Sequence, residues 1–554
     1  MAAKTAGSQT SPGGGSLQRL TAEGQAALRE AIDDAQLPGM VHPKFADYQV
    51  EVSKFYRQSG DTLPWLQGVR PTPQALRMLL LFQTADRLGL DPPDYDGPMW
   101  ETRLAALERP GRVSDVDLIH FDLALTVSAM RYVSDLHQGR MNPRLFHSDL
   151  DFGKTNVDLS EFLLRNLVHA DDIDAVVMET VEPPFPTYHR TVRALQTYMD
   201  LARRDDGELL PSPRKAIRPG DPYSGVPRLL RFLTLLGDLA PSGSGSASIY
   251  GGALVNAVKH FQQRHGLEPD GIIGAQTLRE LNTPLSQRVS QLRLTLERWR
   301  WAPHEFRRPP IVVNIPEFRL RALNEKYQWV LSMKVVVGKA YGHETPVFAS
   351  NLKSVIFRPY WTVPLSIQQK ELLPEIRRDA TYLAKHSYEV VDPEGNIVHA
   401  TVPLNNEIQE QLRSGRLALR QTPGSNNSLG LVKFDLPNIY DVYMHGTPAT
   451  ELFARSRRDF SHGCIRVEDP VALASWVLRD KPEWNEARIR AAMAGDQTIR
   501  VEVDNPIPVL IVYGTGVVME DGEVRFFDDI YGQDAELEQR LSRGYPYART
   551  VDEP

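Results

Sequence analysis

A chain of 554 residues is too long for one hydrophobic core and implies three or four domains of roughly 100 to 200 residues each. Its formal charge of −7 argues against nucleic acid or anionic lipid as the main partner, and its 42% hydrophobic and 24% charged content is that of ordinary globular protein. No stretch approaches the roughly 18 apolar residues of a membrane span; the run Met78 to Phe82 is about the longest. Residues 1–16, rich in Gly, Ser, Thr and Pro, lack the apolar core of a signal peptide and read as a disordered leader or expression remnant.

Residues 17–219 read as mostly helical. Leu76, Leu79, Leu80 and Leu88 share one side of a predicted helix over 74–88, and Leu118, Phe121, Leu125, Met130 and Val133 recur over 115–136. Val192, Leu195 and Tyr198 do the same over 187–202. A Pro- and Gly-rich loop over 211–225 then marks a boundary, and the short unit that follows, 220–284, reads as a helix over 226–237 and a second over 252–265, separated by a Ser/Gly loop at 242–246. A helical linker is expected over 285–308.

From Pro309 the texture changes to strands, with β-rich runs at 311–313, 319–323, 329–337, 355–357, 431–434 and 498–503. A mostly β, sandwich-like domain is expected over 309–504. Within it, the charged, helical excursion from about 364 to 421 is long enough to be functional or mobile. Residues 505–554 read as a structural extension.

The chemistry concentrates at Ser461-His462-Gly463-Cys464-Ile465-Arg466. Cys464 is the only cysteine, so it forms no internal disulfide and is packing, metal ligand or nucleophile. A structural zinc site wants four Cys/His ligands, which makes metal the weakest reading. A nucleophile needs a base distant in sequence and near in space. His445 fits, because it closes the apolar run Ile439 to Met444, which reads as a strand and includes Tyr443, and Gly446-Thr447-Pro448 stops that run. Asp469-Pro470 reads as a helix start soon after Cys464, so the helix end and Arg466 are both expected to favour the thiolate. The residues alone leave a chance cysteine and a Cys-His enzyme both open.

His445-Gly446-Thr447-Pro448 followed by Ser461 to Arg466 resembles the signature of the L,D-transpeptidases (YkuD fold) of bacterial cell walls. Val313 to Pro316, Val337-Gly338-Lys339, Thr345-Pro346 and Arg420 to Gly424 with Asn427, Leu429 and Gly430 stand in the same order. The resemblance implies a cysteine acyl-enzyme on a tetrapeptide donor stem, release of D-alanine, and acyl transfer to an amine. Cys464 inherits the nucleophile's role and His445 the base's, with the Gly446 carbonyl as orienter. His462, Gly463, Arg466, Ser461 and Tyr443 would line the oxyanion and substrate pocket, with no cofactor or metal.

Tyr132, Asp135, Leu136, Gly139, Arg140 and Pro143 resemble the helical scaffold of the larger periplasmic members. Ala257 to Gln263 with Gly266-Leu267 and Asp270 to Gly274 resembles a three-helix peptidoglycan-binding domain, in which the aromatic and Gln positions are either glycan contacts or core. The excursion over 364–421 resembles their capping subdomain.

The expected whole is a multidomain α+β protein: helical scaffold, small three-helix wall-binding module, and mostly β catalytic domain with a helical cap insertion. Stem peptides, glycan and other cell-wall synthesis proteins are the expected partners, and the cell envelope or periplasm the expected location. A Cys-His amidase or carboxypeptidase that hands the acyl group to water, and a non-catalytic wall-binding protein, are the alternatives.

Overall fold

In a computed structural model, the chain is described over residues 17–108, 113–146, 148–150, 157–241, 248–398 and 404–547. The leader expected over 1–16 and the Ser/Gly loop at 242–246 lie outside these residues. No helix among those described is long and apolar enough to cross a membrane.

The N-terminal part is built around the helix Asp115–Gln138, opened by a capping box between Ser114 and Asp117. It is apolar on nearly every side, and every residue from Phe121 to Leu136 is buried, so neighbours must surround it. Its buried Asp122 is satisfied by the Tyr56 hydroxyl at 2.7 Å and the Trp65 N–H at 2.9 Å. The helix expected over 74–88 is instead Pro73–Gln83 followed by a 3₁₀ turn, Ala85–Leu88. Ala75, Met78, Leu79 and Phe82 face the core, while Leu76 and Leu80, expected inside, are 45% and 49% exposed. A Leu-rich helix offers two overlapping stripes, and the aromatic Phe82 decides which is buried.

The first core ends near Val181. A second begins at Phe185 and gathers the helices Pro186–Arg204, Val226–Leu236, Ala253–Arg264 and Leu285–Trp301, together with Val518 and Phe526 from a C-terminal hairpin. The boundaries expected at 219/220 and 284/285 therefore fall inside one shared core, because Pro/Gly loops mark turns and not the limits of packing. The expected linker is a buried helix: Glu297 accepts from the Arg140 and Met141 N–H groups, tying it to the chain that leaves the helix Asp115–Gln138. Phe261 and Gln262 are core and cap residues; Gln262 bonds Asp270, Thr277 and the backbone at Gly271 and Ile272.

The main sheet comprises β1 (Ser148–Asp149), β2 (Ile311–Asn314), β3 (Arg319–Leu323), β4 (Trp329–Gly338), β5 (Val347–Phe357), β6 (Val432–Asp435), β7 (Met444–His445), β8 (Asp459–Ser461), β9 (Ile465–Val467) and β10 (Ile499–Val512). Its order is β6-β7-β9-β4-β3-β2-β10-β5-β1, with β8 beside β4. Because β6 also pairs with β5, the sheet folds back on itself around one apolar core. β10 runs straight through the boundary expected at 504/505: Asn505-Pro506 forms only an irregularity between Glu502 and Ile507, after which pairing with β5 resumes.

Residues 364–421 fold around a separate small core that includes Leu372, Leu373, Ile376, Leu412 and Leu419. Three short strands, Trp361–Thr362, Ala418–Gln421 and Tyr388–Val391, stitch its entry, exit and middle together. At its centre the Gln368 side chain donates to the Leu412 carbonyl at 2.5 Å and accepts from the Leu419 N–H at 2.6 Å.

Candidate active site

The apolar run Ile439 to Met444 is a strand only at its end. Asn438 accepts from the Tyr440 and Val442 N–H groups, Asp441 has φ +53°, and Ile439 is 83% exposed, so the stretch is a loop folded on its Asn side chain. The remaining strand, β7, sits between two others. It runs parallel to β9 with His445 opposite Arg466, and antiparallel to β6 with His445 opposite Lys433. Three residues far apart in sequence thus share one floor.

Cys464 ends the turn between β8 and β9. Gly463 has φ +114°, a conformation that favours glycine. The Ser461 hydroxyl donates to the Cys464 carbonyl at 2.6 Å and accepts from the Gly463 N–H at 3.2 Å. The Ile465 N–H donates to the Tyr443 carbonyl at 3.0 Å, which sets Cys464 beside Tyr443. The next helix, Pro470–Val477, starts only after β9 and is capped by Asp469, whose side chain accepts from the Ala472 N–H. The expectation that a helix end favours the thiolate therefore fails, because a strand and a carboxylate lie between them.

The electrostatics agree with that correction. Burial pushes the Cys464 thiol above its ordinary range, against the pull of Tyr443 and Lys433. His445 is buried, and burial with the adjacent Arg466 guanidinium lowers its imidazole to about 3. Its Nδ1 lies 2.5 Å from the Gly446 carbonyl; an N–H there leaves Nε2 as the free base. The resting pair is thus thiol and neutral imidazole.

Tyr443 touches both. Its ring lies 5.7 Å from that of His445, its hydroxyl interacts electrostatically with the Cys464 thiol and with Trp361 at the foot of the cap, and Lys433 Nζ sits 4.1 Å from the centroid of the Tyr443 ring. His462 stands apart from this cluster. Its Nε2 meets Glu371 of the cap at 2.6 Å and its ring packs edge-on against His343 at 4.8 Å. Arg466 is half-buried on β9.

Sequence reasoning missed Lys433, Trp361 and Glu371. Lys433 could have been found, as the polar residue between the buried Val432 and Phe434 in a strand; the other two approach only through the cap's fold.

Residues 308–509 match the family model of the L,D-transpeptidase catalytic domain (YkuD), 50–195 that of the Scaffold domain, and 224–281 that of a peptidoglycan binding domain. Residues 308–509 are thus similar to a YkuD L,D-transpeptidase catalytic domain. A protein of Haemophilus influenzae named as an L,D-transpeptidase is 32% identical over 227 residues, 41% of this chain and 45% of its own length, so the chain spans under half of that relative. Two solved structures also align: an L,D-transpeptidase from Xylanimonas cellulosilytica (15% identity, 55% of this chain and 99% of that one, TM-score 0.16) and one from Stackebrandtia nassauensis (12%, 55% and 97%, TM-score 0.21). The L,D-transpeptidase domain match ends inside β10 and takes in the whole cap.

Proposed function

We propose that the L,D-transpeptidase domain forms peptidoglycan cross-links through a thioester on Cys464. Cys464 Sγ attacks the third-residue carbonyl of a tetrapeptide stem while His445 Nε2 takes the thiol proton. The resting pair is neutral, so this transfer accompanies attack and no ion pair precedes it. The tetrahedral oxyanion collapses, the C–N bond to D-alanine breaks, and His445 returns the proton to the leaving amine. An acceptor amine then attacks the thioester, gives its proton to His445, and expels the thiol, which recovers that proton.

The observation that supports this reading is the β7–β9 register. His445 lies opposite Arg466 on the strand that follows the nucleophile, and Tyr443 lies beside both. The Gly446 carbonyl orients the imidazole, and Gly463, Ser461, Arg466 and His462 frame the pocket. We assign 17–219 to the scaffold, 220–284 to wall binding, and the whole to the cell envelope on the chemistry of its substrate. The test is mass analysis of products from a disaccharide-tetrapeptide. A cross-linked dimer lacking one D-alanine is expected; tripeptide alone would show that water takes the acyl group.

A further inference from the structure

The turn that carries Cys464 contains a plane that could flip. Gly463, with no Cβ, lets the peptide joining it to Cys464 rotate at little energetic expense, and a flip would exchange the directions of the Gly463 carbonyl and the Cys464 N–H. In a trans peptide these two point opposite ways. Whatever holds the carbonyl therefore aims the N–H.

Thr345 holds it. Its hydroxyl donates to the Gly463 carbonyl at 2.8 Å and accepts from the Gly338 N–H at 2.9 Å, and the residue is fully buried. With the carbonyl tied down, the Cys464 N–H faces away from Thr345, and it meets no acceptor among the described residues. A free, fixed backbone donor at the nucleophile itself is what a developing oxyanion needs.

Thr345 is in turn held from outside the matched catalytic domain. The Tyr531 hydroxyl accepts from the Thr345 N–H at 3.3 Å and donates to the Gly338 carbonyl, closing the neck of the loop between β4 and β5. That neck is tight: a Cβ on Gly338 would come within 1.9 Å of the His343 carbonyl. Tyr531 is itself fixed, its N–H donating to the Tyr513 hydroxyl at 2.9 Å.

We propose that Thr345, braced by Tyr531, is a positioning residue that aims the Cys464 N–H as an oxyanion donor, an inference that rests on the transpeptidase reading. It acts on acyl transfer and not on the thiol. Displacement of iodide from iodoacetamide forms no oxyanion, so alkylation reports thiol reactivity alone.

The experiment compares, in the full chain, acylation by a carbapenem followed by intact mass with alkylation by iodoacetamide across pH. Thr345→Val is expected to lower acylation roughly 10- to 100-fold, less than the roughly 10²- to 10³-fold for deleting an oxyanion donor outright because the Cys464 N–H is mis-aimed and not removed, with the alkylation rate and its pH profile unchanged. Thr345→Ser, which keeps the hydroxyl, should restore acylation, and Tyr531→Phe should show a smaller loss of the same kind. Should Thr345→Val fail to fold, Thr345→Ser and Tyr531→Phe carry the test.

Acylation at the wild-type rate in Thr345→Val, or in Tyr531→Phe where that variant carries the test, would overturn the proposal. So would acylation and alkylation falling together. A wild-type chain that alkylates, yet is acylated by neither carbapenem nor tetrapeptide, would overturn the transpeptidase reading instead.

Discussion

Residues 224–281 and residues 364–421 are both attachments to the catalytic sheet, and they are joined to it in opposite ways. The first bury Leu229, Phe232, Val258 and Phe261 in a core shared with the helices Pro186–Arg204 and Leu285–Trp301 and with the C-terminal hairpin. The second close over Leu373, Ile376, Leu412 and Leu419 among themselves, with Glu371 meeting His462 and Gln421 pairing with Trp361 at the segment's entry. A shared core makes a region part of the frame. A private core lets a region move as a unit, which is what a cover over a reaction needs.

The largest effect should come from removing the first region. Each buried aliphatic or aromatic side chain stabilises by about 1.5 to 3 kcal/mol, and a whole domain is stable by only about 5 to 15. Deleting 224–282 uncovers Tyr198, Leu292, Leu296 and Phe526 at once. We expect a chain without a cooperative melt, eluting as aggregate in size-exclusion chromatography. A truncated protein that melts like the full chain would mean the shared core is dispensable.

The floor beneath the cap supplies the second prediction. Cys464→Ala should abolish acylation, and His445→Ala should slow it by roughly 10²-fold or more. With His445 titrating near 3 and the Cys464 thiol pushed above its ordinary range, the productive neutral pair spans neutral pH, so the wild-type acylation rate should be flat from about pH 5 to 8. Without His445 only spontaneous thiolate reacts, so the rate should climb about tenfold per pH unit.

Stability follows with a definite sign. Unfolded His445 binds a proton below about 6.5 that the folded residue refuses until about 3, so this group withdraws stability as pH falls through that window. The melting temperature of His445→Ala should fall less than that of the wild type on acidification.

The third prediction is the counterpart of the first. Joining Pro364 to Leu419 removes the cap at its narrow entry, where Thr362 pairs with Arg420. The remaining domain should melt near the wild-type temperature while turnover falls about tenfold or more through mis-positioned substrate. Loss of melt and activity together would make the cap part of the frame after all.

The resemblance to the L,D-transpeptidase domain could be read from the chain because it rests on local pattern, residue type at fixed spacing. Parallel pairing of β7 with β9 could not, since it is fixed by how the sheet closes. Nor could the shared core, because the signals at 211–225 and at Asn505-Pro506 describe turns and bulges and are silent on what packs across them. Ile439 to Met444 misled because its apolar residues face a loop whose shape is set by the Asn438 side chain. Thr345 stood in a recognised motif, but its service to Gly463 depends on Tyr531, which lies beyond the family match.

The smallest effect should come from the cap's contact with His462. Glu371 meets His462 Nε2 at 2.6 Å, but its side chain is 48% exposed, and exposed pairs are worth about 0 to 1 kcal/mol, so the contact can bias the cap's position by no more than that. One kcal/mol is about a fivefold change in population, which bounds the outcome. Glu371→Gln keeps a hydrogen-bonding group and removes the charge. It should raise KM by up to about fivefold while leaving kcat near the wild-type value, because the floor that does the chemistry is untouched. Salt gives an independent reading: at about 1 M the screening length shrinks to about 3 Å, so the wild-type KM should rise toward that of the variant, whose own KM should barely respond. A fall in kcat of more than about tenfold in Glu371→Gln, with KM unchanged, would place this cap residue in the chemistry itself and erase the distinction between a fixed floor and a moving cover.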